Sequence, residues 1–230
     1  MTDFLHEGLL KLNFSQEEAE TIAKKMELYI NELRLFNSAY NLVNTDDHDE
    51  IVINHILDSL APVAKLKELI AQLEEKKSRK IVAADIGSGG GLPGIPLAAA
   101  MPAQNFILVE RMSKRCAFLE NCAAILGLSN VTVLNTEAEK VKNQSIDLAV
   151  FRAFRPLDKK MTKTLLAMLT SDGFLAAYKA KTEKIQEEMA GIKELVPEYT
   201  TEPVYVPFLT DCKNKEQRQR NLVIICKNSH

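Results

Sequence analysis

The chain has 230 residues, of which 46% are hydrophobic and 26% are charged, and both fractions are ordinary for a folded globular protein. They exclude a mainly disordered chain, because enough apolar side chains are present to offset the entropy of ordering. No apolar run approaches the roughly 20 residues that a bilayer-spanning helix needs, and the first residues lack the basic region and cleavage site of a secretory signal. Four cysteines without a CxxC pair, Cys116, Cys122, Cys212 and Cys226, are typical of reduced thiols. We therefore expect a cytoplasmic protein with no membrane partner.

Charge is unevenly distributed along the chain. The net charge of the whole chain is −2, which does not by itself indicate a nucleic-acid-binding protein. Residues 1–80 carry a net charge of −5 and residues 81–230 a net charge of +3. If a polyanion binds, we expect it on the second segment.

The first 80 residues have helical patterns throughout. Ser15 and Glu18 form a capping-box sequence, and apolar residues at alternating steps of three and four then predict one long amphipathic helix as far as Tyr40. A second helix is predicted over residues 50–60 and a third after Pro62. The charged run 74–80 is typical of a boundary, so we predict an N-terminal helical extension over residues 1–78 and a core over residues 79–230.

After residue 80 short apolar strands alternate with helices, which is typical of βαβ units in a parallel sheet. The predicted strands are 81–86, 106–110, 131–135, 146–151, 174–179, 204–206 and 221–227. The predicted helices between them are 92–101, 113–126, 156–169 and 182–195. Because no helix separates the last two strands, we expect one of them to run antiparallel at the edge. The predicted fold class is α/β, with a mostly parallel sheet of about seven strands.

A glycine-rich loop follows the first predicted strand, where open α/β sheets bind ligands. Gly89, Gly91 and Gly94 match the G-x-G-x-x-G pattern of dinucleotide-binding proteins. Asp85, Gly87, Gly89 and Gly91 match instead the D-x-G-x-G-x-G pattern of S-adenosylmethionine-dependent methyltransferases with a Rossmann-like core. The loop alone is compatible with both classes of protein.

The charge of Asp85 favours the second class. A dinucleotide places a pyrophosphate over this loop, and a carboxylate there would repel it by several kcal/mol, as an order of magnitude. S-adenosylmethionine carries an ammonium and a sulfonium and no phosphate, so Asp85 becomes an attractive partner. Glu110 ends the second strand and can accept ribose hydroxyls in either class, so it does not discriminate.

The acceptor can be narrowed by motifs that the sequence lacks. Residues 151–156 read Phe-Arg-Ala-Phe-Arg-Pro after the fourth strand, which is not the Asn/Asp-Pro-Pro-Tyr motif of exocyclic amine methylation. No cysteine is placed as an activated nucleophile. An acceptor that is already nucleophilic, such as guanine N7, remains, and it needs alignment but no general base. We therefore predict no catalytic side chain.

Five segments together resemble the bacterial glucose-inhibited division protein B family of 16S rRNA guanine-N7 methyltransferases. They are residues 41–44, 55–60, 85–97, 114–115 and 152–154. The resemblance implies a Rossmann-like class I methyltransferase fold, S-adenosyl-L-methionine as cofactor, and the guanine numbered 527 in 16S rRNA as substrate. The partner is then expected to be 16S rRNA, within a small-subunit ribosomal particle.

The resemblance also implies cofactor contacts from Gly87, Leu92, Ala138, Glu139 and Arg152, and it matches Glu110 to an acidic position. With the loop residues, the predicted cofactor-binding set is Asp85, Gly87, Gly89, Leu92, Glu110, Ala138, Glu139 and Arg152. From the residues alone, Arg152 can orient a carboxylate, contact a phosphate or form a salt bridge.

Other interpretations stay open for residues outside this set. His55 and Asp58 are compatible with a structural pair at the domain junction or with a role in the pocket. Lys114, Arg115, Arg155 and Lys179 follow strand ends or lie in early helix turns and are the predicted RNA-binding residues. We predict no metal site and a monomer. A nucleotide (NAD)-dependent oxidoreductase and a non-catalytic ribosome-binding module remain the alternative functions.

Overall fold

The structure is a computed structural model that describes residues 3–211 and 218–227. The helices are α1 (Phe4–Lys11), α2 (Gln16–Tyr40), α3 (His48–Ile51), a π-helix (Val52–Leu57), α4 (Asp58–Leu60), α5 (Val63–Lys77), α6 (Gly94–Ala100), α7 (Ser113–Ile125), a short 3-10 helix (Ala138–Lys140), α8 (Lys159–Met168) and α9 (Thr182–Gly191). The strands are β1 (Val82–Ile86), β2 (Asn105–Glu110), β3 (Val131–Asn135), β4 (Ile146–Arg152), β5 (Leu169–Lys179), β6 (Thr200–Pro203) and β7 (Asn221–Cys226).

The N-terminal helices begin and end where their sequence signals predict. The Ser15 side chain accepts from the backbone N–H of Glu18, and the Glu18 carboxylate accepts from that of Ser15, which confirms the capping box. Helix α2 ends at Asn41, which adopts a left-handed conformation with φ of +49°. The segment predicted as one helix over residues 50–60 contains the π-helix, which widens the turn next to the site described below.

The seven strands form one sheet in the order β3-β2-β1-β4-β5-β7-β6. Strands β1 to β5 are parallel, as expected for buried apolar runs joined by helices, and β7 pairs antiparallel with both β5 and β6. The predicted fold class is confirmed, with the reversed strand one position in from the edge rather than at the edge itself. The strand order reverses between β1 and β4, which is where ligands bind in such sheets.

One predicted strand is wrong. Residues 204–206 form no strand, and the edge strand is instead the more polar segment Thr200–Pro203. An edge strand needs only one partner and leaves its other side open to solvent, so it tolerates polar side chains. Val206 is buried, but it lies beyond the strand and packs in the same apolar cluster as the N-terminal helices.

Apolar side chains cover both faces of the sheet. One cluster joins the N-terminal helices, α6 and α7 to one face, and a second joins α8 and α9 to the other. Because the N-terminal helices share the first cluster with the sheet, they form part of the core of the molecule, and the division at residue 78 stays a prediction. Cys116 and Cys122 are buried free thiols and Cys226 is an exposed one, while Cys212 lies outside the described residues.

Candidate active site

Two cavities adjoin at the carboxyl ends of the parallel strands. The large cleft has a volume of about 1390 Å³ and the small cavity a volume of about 220 Å³. The residues that line both are Gly87, Arg115, Ala153, Phe154 and Arg155. A ligand of two parts can therefore place one part in each cavity.

The glycine loop separates the strand end of β1 from α6 and lines the large cleft. Gly87, Gly89 and Gly91 have φ values of +73°, +58° and +93°, a region that residues with a Cβ seldom adopt. The Tyr29 hydroxyl of α2 donates to the carbonyl of Gly90 at 2.5 Å, so the N-terminal helices support the loop from beneath. A Cβ at Gly89 would meet no atom closer than 3.9 Å, so this glycine leaves its backbone accessible to a ligand.

Asp85 lies under the loop, not in the cavity wall. Its side chain is 1% exposed, and one carboxylate oxygen accepts from the backbone N–H of Gly94 at 3.0 Å. The other oxygen is buried and has no hydrogen-bond partner. Burial raises the pKa of Asp85 to about 7, against the hydrogen bond from Gly94 and the positive charge of Arg152. Because the Gly94 N–H is bonded to this carboxylate, it is not presented to a phosphate.

Glu110 forms one wall of the small cavity. Its two carboxylate oxygens accept from the backbone N–H groups of Gly89 at 3.0 Å and Met112 at 2.8 Å, which leaves further lone pairs for ligand hydroxyls. Ala138 and Glu139 lie in the same cavity wall. The structure therefore brings three predicted cofactor residues together in the small cavity, while Gly87, Gly89, Leu92 and Arg152 line the large cleft.

Arg152 is held by an ion cluster between the N-terminal helices and the sheet. Its guanidinium donates to Asp58 at 2.8 Å, and the other oxygen of Asp58 accepts from Arg220 at 2.9 Å. The Asp58 side chain is 7% exposed and that of Arg152 is 14% exposed, so the charges are largely removed from water. Of the roles open to Arg152, the salt bridge is present in the structure.

His55 contacts the same guanidinium and does not bond to Asp58 directly. Arg152 approaches His55 Nδ1 at 3.3 Å, and His55 Nε2 lies 3.2 Å from the Asn44 side-chain oxygen. A guanidinium can only donate, so Nδ1 accepts and the ring proton is on Nε2. Burial, with the charge of Arg152, lowers the pKa of His55 to about 4. His55 is therefore neutral at pH 7 and its ring nitrogens are both engaged.

The four predicted RNA-binding residues lie in different surroundings. Lys114 is exposed at the start of α7. Arg115 donates to the carbonyls of Tyr40 and Asn41 at 3.4 and 3.2 Å. Arg155 pairs with Glu139 at 3.1 Å, and Lys179 pairs with Glu188 at 2.7 Å in a half-buried bridge. Of these four residues, Lys114 alone makes none of the contacts to carboxylates or carbonyls just described, and it is exposed.

The carboxylates that line the large cleft are all engaged. Asp58 holds two arginines, and Asp158 caps α8 by accepting from the backbone N–H of Met161 at 2.7 Å. The other two, Glu187 and Glu188, pair with lysines. Within the described residues the cleft thus contains no unpaired carboxylate that would serve as a general base.

Two residues of the site, Arg220 and Tyr178, were not among those predicted from the sequence. Arg220 precedes β7 within a polar segment. Tyr178 is the next-to-last residue of β5, and its hydroxyl donates to the carbonyl of Ser59 at 2.9 Å. Both line the large cleft beside Asn44. A rule that tests the residues flanking every predicted strand end would have found Tyr178, but Arg220 lies before its strand and would have been missed.

The described part of the chain contains neither a group of metal-ligating side chains nor a membrane-spanning helix. Across residues 3–211 and 218–227, no three His, Cys, Asp or Glu side chains are grouped so that they could hold a metal ion. None of the helices in those ranges is long and apolar enough to span a bilayer.

The fold is similar to that of solved methyltransferases of class I. Similar solved structures include a tRNA (m1A58) methyltransferase from Aquifex aeolicus, with a TM-score of 0.55 and 12% identity over 76% of this chain and 69% of that one. A human methyltransferase 10 domain containing protein also has a TM-score of 0.55, with 14% identity over 87% of this chain and 97% of that one.

Sequence comparison then gives the family. The model of the GidB family, described as rRNA small subunit methyltransferase G, matches residues 22–223. Proteins named ribosomal RNA small subunit methyltransferase G are 36% identical in Treponema denticola, over 97% of this chain and 93% of that protein, and 30% identical in Neisseria meningitidis, over 91% of each. The chain belongs to the rRNA small subunit methyltransferase G family, which confirms the resemblance noted from its motifs.

Proposed function

We propose that the protein transfers a methyl group from S-adenosyl-L-methionine to N7 of a guanine in 16S rRNA, at the position numbered 527. Family membership supports the methylation of small-subunit rRNA, and the site supports the finer assignment. The observation that carries the proposal is a pair of adjoining cavities. Glu110 lines the small cavity, and every carboxylate described in the large cleft is paired.

The residues of this chain fit S-adenosylmethionine. A loop with three left-handed glycines allows close approach of a ligand to its backbone. The Asp85 carboxyl beneath that loop is partly ionised at pH 7, and its charge would favour a bound ammonium and sulfonium. A pyrophosphate would be repelled by the same carboxylate, so the site fits a dinucleotide less well.

Each cavity suits one half of the cofactor. In the small cavity Glu110 would accept from the two ribose hydroxyls, and Ala138 and Glu139 would border the adenine. In the large cleft the backbone of Gly87 and Gly89 would lie along the methionine part. Arg152, held in place by Asp58, would face the carboxylate of that part.

The chemistry requires little from the side chains. When bound, S-adenosylmethionine supplies an electrophilic methyl group on a sulfonium sulfur. Guanine N7 carries its lone pair at neutral pH, so no proton has to be removed, and the chain needs only to hold N7 in line with the S–CH₃ bond. A neutral His55 and the paired carboxylates are consistent with this requirement.

The RNA would approach across the basic rim of the large cleft. Lys114, Arg115, Arg155 and Lys179 are proposed to contact phosphates, which would require Arg155 and Lys179 to exchange their present carboxylate partners for RNA. A cytoplasmic monomer that acts on a small-subunit ribosomal particle stays part of this proposal.

Calorimetry and mass spectrometry test the proposal together. S-adenosylhomocysteine should bind and NAD should not, and Glu110→Gln should weaken S-adenosylhomocysteine binding about tenfold, because hydrogen bonds from the ribose hydroxyls to a charged acceptor are lost. Glu187→Gln is the matched control, since Glu187 is an exposed carboxylate on the outer rim. In 16S rRNA from cells lacking the protein, N7-methylguanosine at position 527 should be absent. Preference for NAD, or an intact modification, would refute the assignment.

A further inference from the structure

The ring of Phe154 lies at the junction of the two cavities. It lines both of them and packs directly on Gly87, where an added Cβ would lie 2.0 Å from Cδ2 of the ring. The side chain is half-buried, and its neighbour Arg155 has its guanidinium carbon 5.3 Å from the ring centroid. Phe154 thus fills the space beside Gly87 at the junction of the two cavities.

The backbone around this ring is held on both sides. Arg152 is fixed by Asp58, and Arg155 by Glu139 at 3.1 Å. Between them Ala153 has a φ of +50°, a left-handed conformation that is unfavourable for a residue with a Cβ. Such strain is often retained where a loop changes conformation in function. Here the strained Ala153 directly precedes Phe154, whose ring packs on Gly87.

A ligand that occupied both cavities by way of Gly87 would need the space that the ring fills. This step rests on the proposed function, in which the adenosine lies in the small cavity and the methionine part lies in the large cleft. The ligand then passes between them along Gly87, in the space that the ring fills. Because Arg155 and Glu139 close the other side of the loop, the open direction for the ring is the large cleft.

We infer that Phe154 turns into the large cleft when the methyl donor binds, and that it stacks there on the acceptor guanine. The other aromatic residues that line the cleft are held elsewhere, since Phe151 is 1% exposed and Tyr178 donates its hydroxyl to Ser59. A stacked ring fixes the plane of the base and leaves its N7 edge free for in-line attack. Stacking is available to every base, so Phe154 orients the acceptor without selecting guanine over adenine.

A tryptophan placed at this position reports the movement directly, because the chain contains no natural tryptophan. In Phe154→Trp, S-adenosylhomocysteine should shift the emission of the indole, and a 16S rRNA fragment added next should quench it by stacking. Tyr199→Trp, at a residue 38% exposed and outside both cavities, is the matched control and should show neither change.

A second variant separates stacking from a structural role. Phe154→Leu should bind S-adenosylhomocysteine at least as tightly as the wild type, because the smaller side chain leaves more of the space beside Gly87 open. Its KM for rRNA should rise about tenfold, as the loss of one base–aromatic stack predicts. Provided that the wild type methylates rRNA, either of two results overturns the inference. One is an indole emission that changes with neither ligand, and the other is an unchanged KM in the leucine variant. Failure of the wild type to bind S-adenosylhomocysteine would instead overturn the proposed function.

Discussion

The pKa values of two buried aspartates, Asp85 and Asp147, are shifted in opposite directions. Burial raises the pKa of Asp85 to about 7, because the hydrogen bond from Gly94 does not offset the loss of water. Burial also acts on Asp147, but hydrogen bonds from Arg79 and Thr170 outweigh it and lower the pKa of that carboxyl. The Asp85 carboxyl is therefore partly neutral at pH 7 beneath the glycine loop, whereas the Asp147 carboxylate is an ionised structural group at the start of β4.

Asp85→Asn removes the ionisable group beneath the glycine loop. In the wild type the neutral carboxyl is favoured by folding, so its contribution to stability is complete below about pH 4 and is lost as the pH rises through about 7. The amide keeps an acceptor for the Gly94 N–H and cannot ionise. Calorimetry should therefore find that the variant melts higher than the wild type at pH 8 and similarly at pH 4, although it binds S-adenosylhomocysteine more weakly.

Asp147→Asn serves as the comparison for that measurement. Its lowered pKa means that the ionised form stabilises the fold above about pH 4, so this variant should melt lower than the wild type at pH 8. If both substitutions lower the melting temperature at pH 8, the raised pKa of Asp85 is wrong.

At the scale of elements, α2 determines the shape of the glycine loop. The Tyr29 side chain is fully buried and its hydroxyl donates to the Gly90 carbonyl, 61 positions along the chain. Asn37, nearer the end of the same helix, accepts from the backbone N–H groups of Leu42 and Val43. The N-terminal helices thus form both the floor of the loop and one wall of the large cleft.

Tyr29→Phe should weaken S-adenosylhomocysteine binding about fivefold, since a neutral hydrogen bond contributes about 1 kcal/mol. Most of the loss should be in binding, because the ring still fills the same space in the core. The control is Tyr205→Phe, whose hydroxyl bonds to Asp211 away from both cavities and whose loss should leave the affinity unchanged. Equal affinities in the wild type and Tyr29→Phe would show that the loop keeps its shape without this bond.

The elements that the sequence predicts well are those with a strong apolar pattern. Strands β1 to β5 and helix α2 were predicted because one or both of their faces are buried. Strand β6 was missed because backbone pairing at an edge leaves no apolar signal, and the π-helix was missed because its apolar spacing also fits an ordinary helix. Helix α8 was predicted to begin at residue 156. It begins at Lys159 instead, because Asp158 supplies its N-terminal cap.

The site follows the same division. The glycine loop, Glu110 and the β4 end could be predicted because local motifs place them at one edge of a parallel sheet. The partners of Arg152 could not, since Asp58 lies 94 positions before it and Arg220 is far downstream. Long-range pairing of charges depends on how the helices pack on the sheet, and no local pattern records it.

At the scale of the whole molecule, Asp58 joins three distant parts of the chain. It belongs to α4 and binds Arg152 at the end of β4 and Arg220 just before β7. Nearby, Ser59 accepts from the Tyr178 hydroxyl of β5. The N-terminal helices are therefore fixed to the sheet by charge as well as by apolar contacts, at the wall of the large cleft.

Asp58→Asn should destabilise the protein by about 3–5 kcal/mol, because two largely buried guanidinium groups lose their counter-charge. Denaturant unfolding at pH 7 measures this loss. The comparison is Lys184→Gln, which breaks an ion pair whose side chains are 77% and 71% exposed and should leave the unfolding midpoint unchanged. Similar midpoints for Asp58→Asn and the wild type would mean that solvent screens the cluster.

The position of β7 has a consequence for how the protein is made. This strand comes last of the seven in translation, yet it lies between β5 and β6. A nascent chain that has already emerged through β6 therefore carries the open edge of β5 and an unpaired β6 until residues 221–226 follow. Such edges readily pair with other chains, so interrupted synthesis of this protein would yield a product that aggregates or engages chaperones.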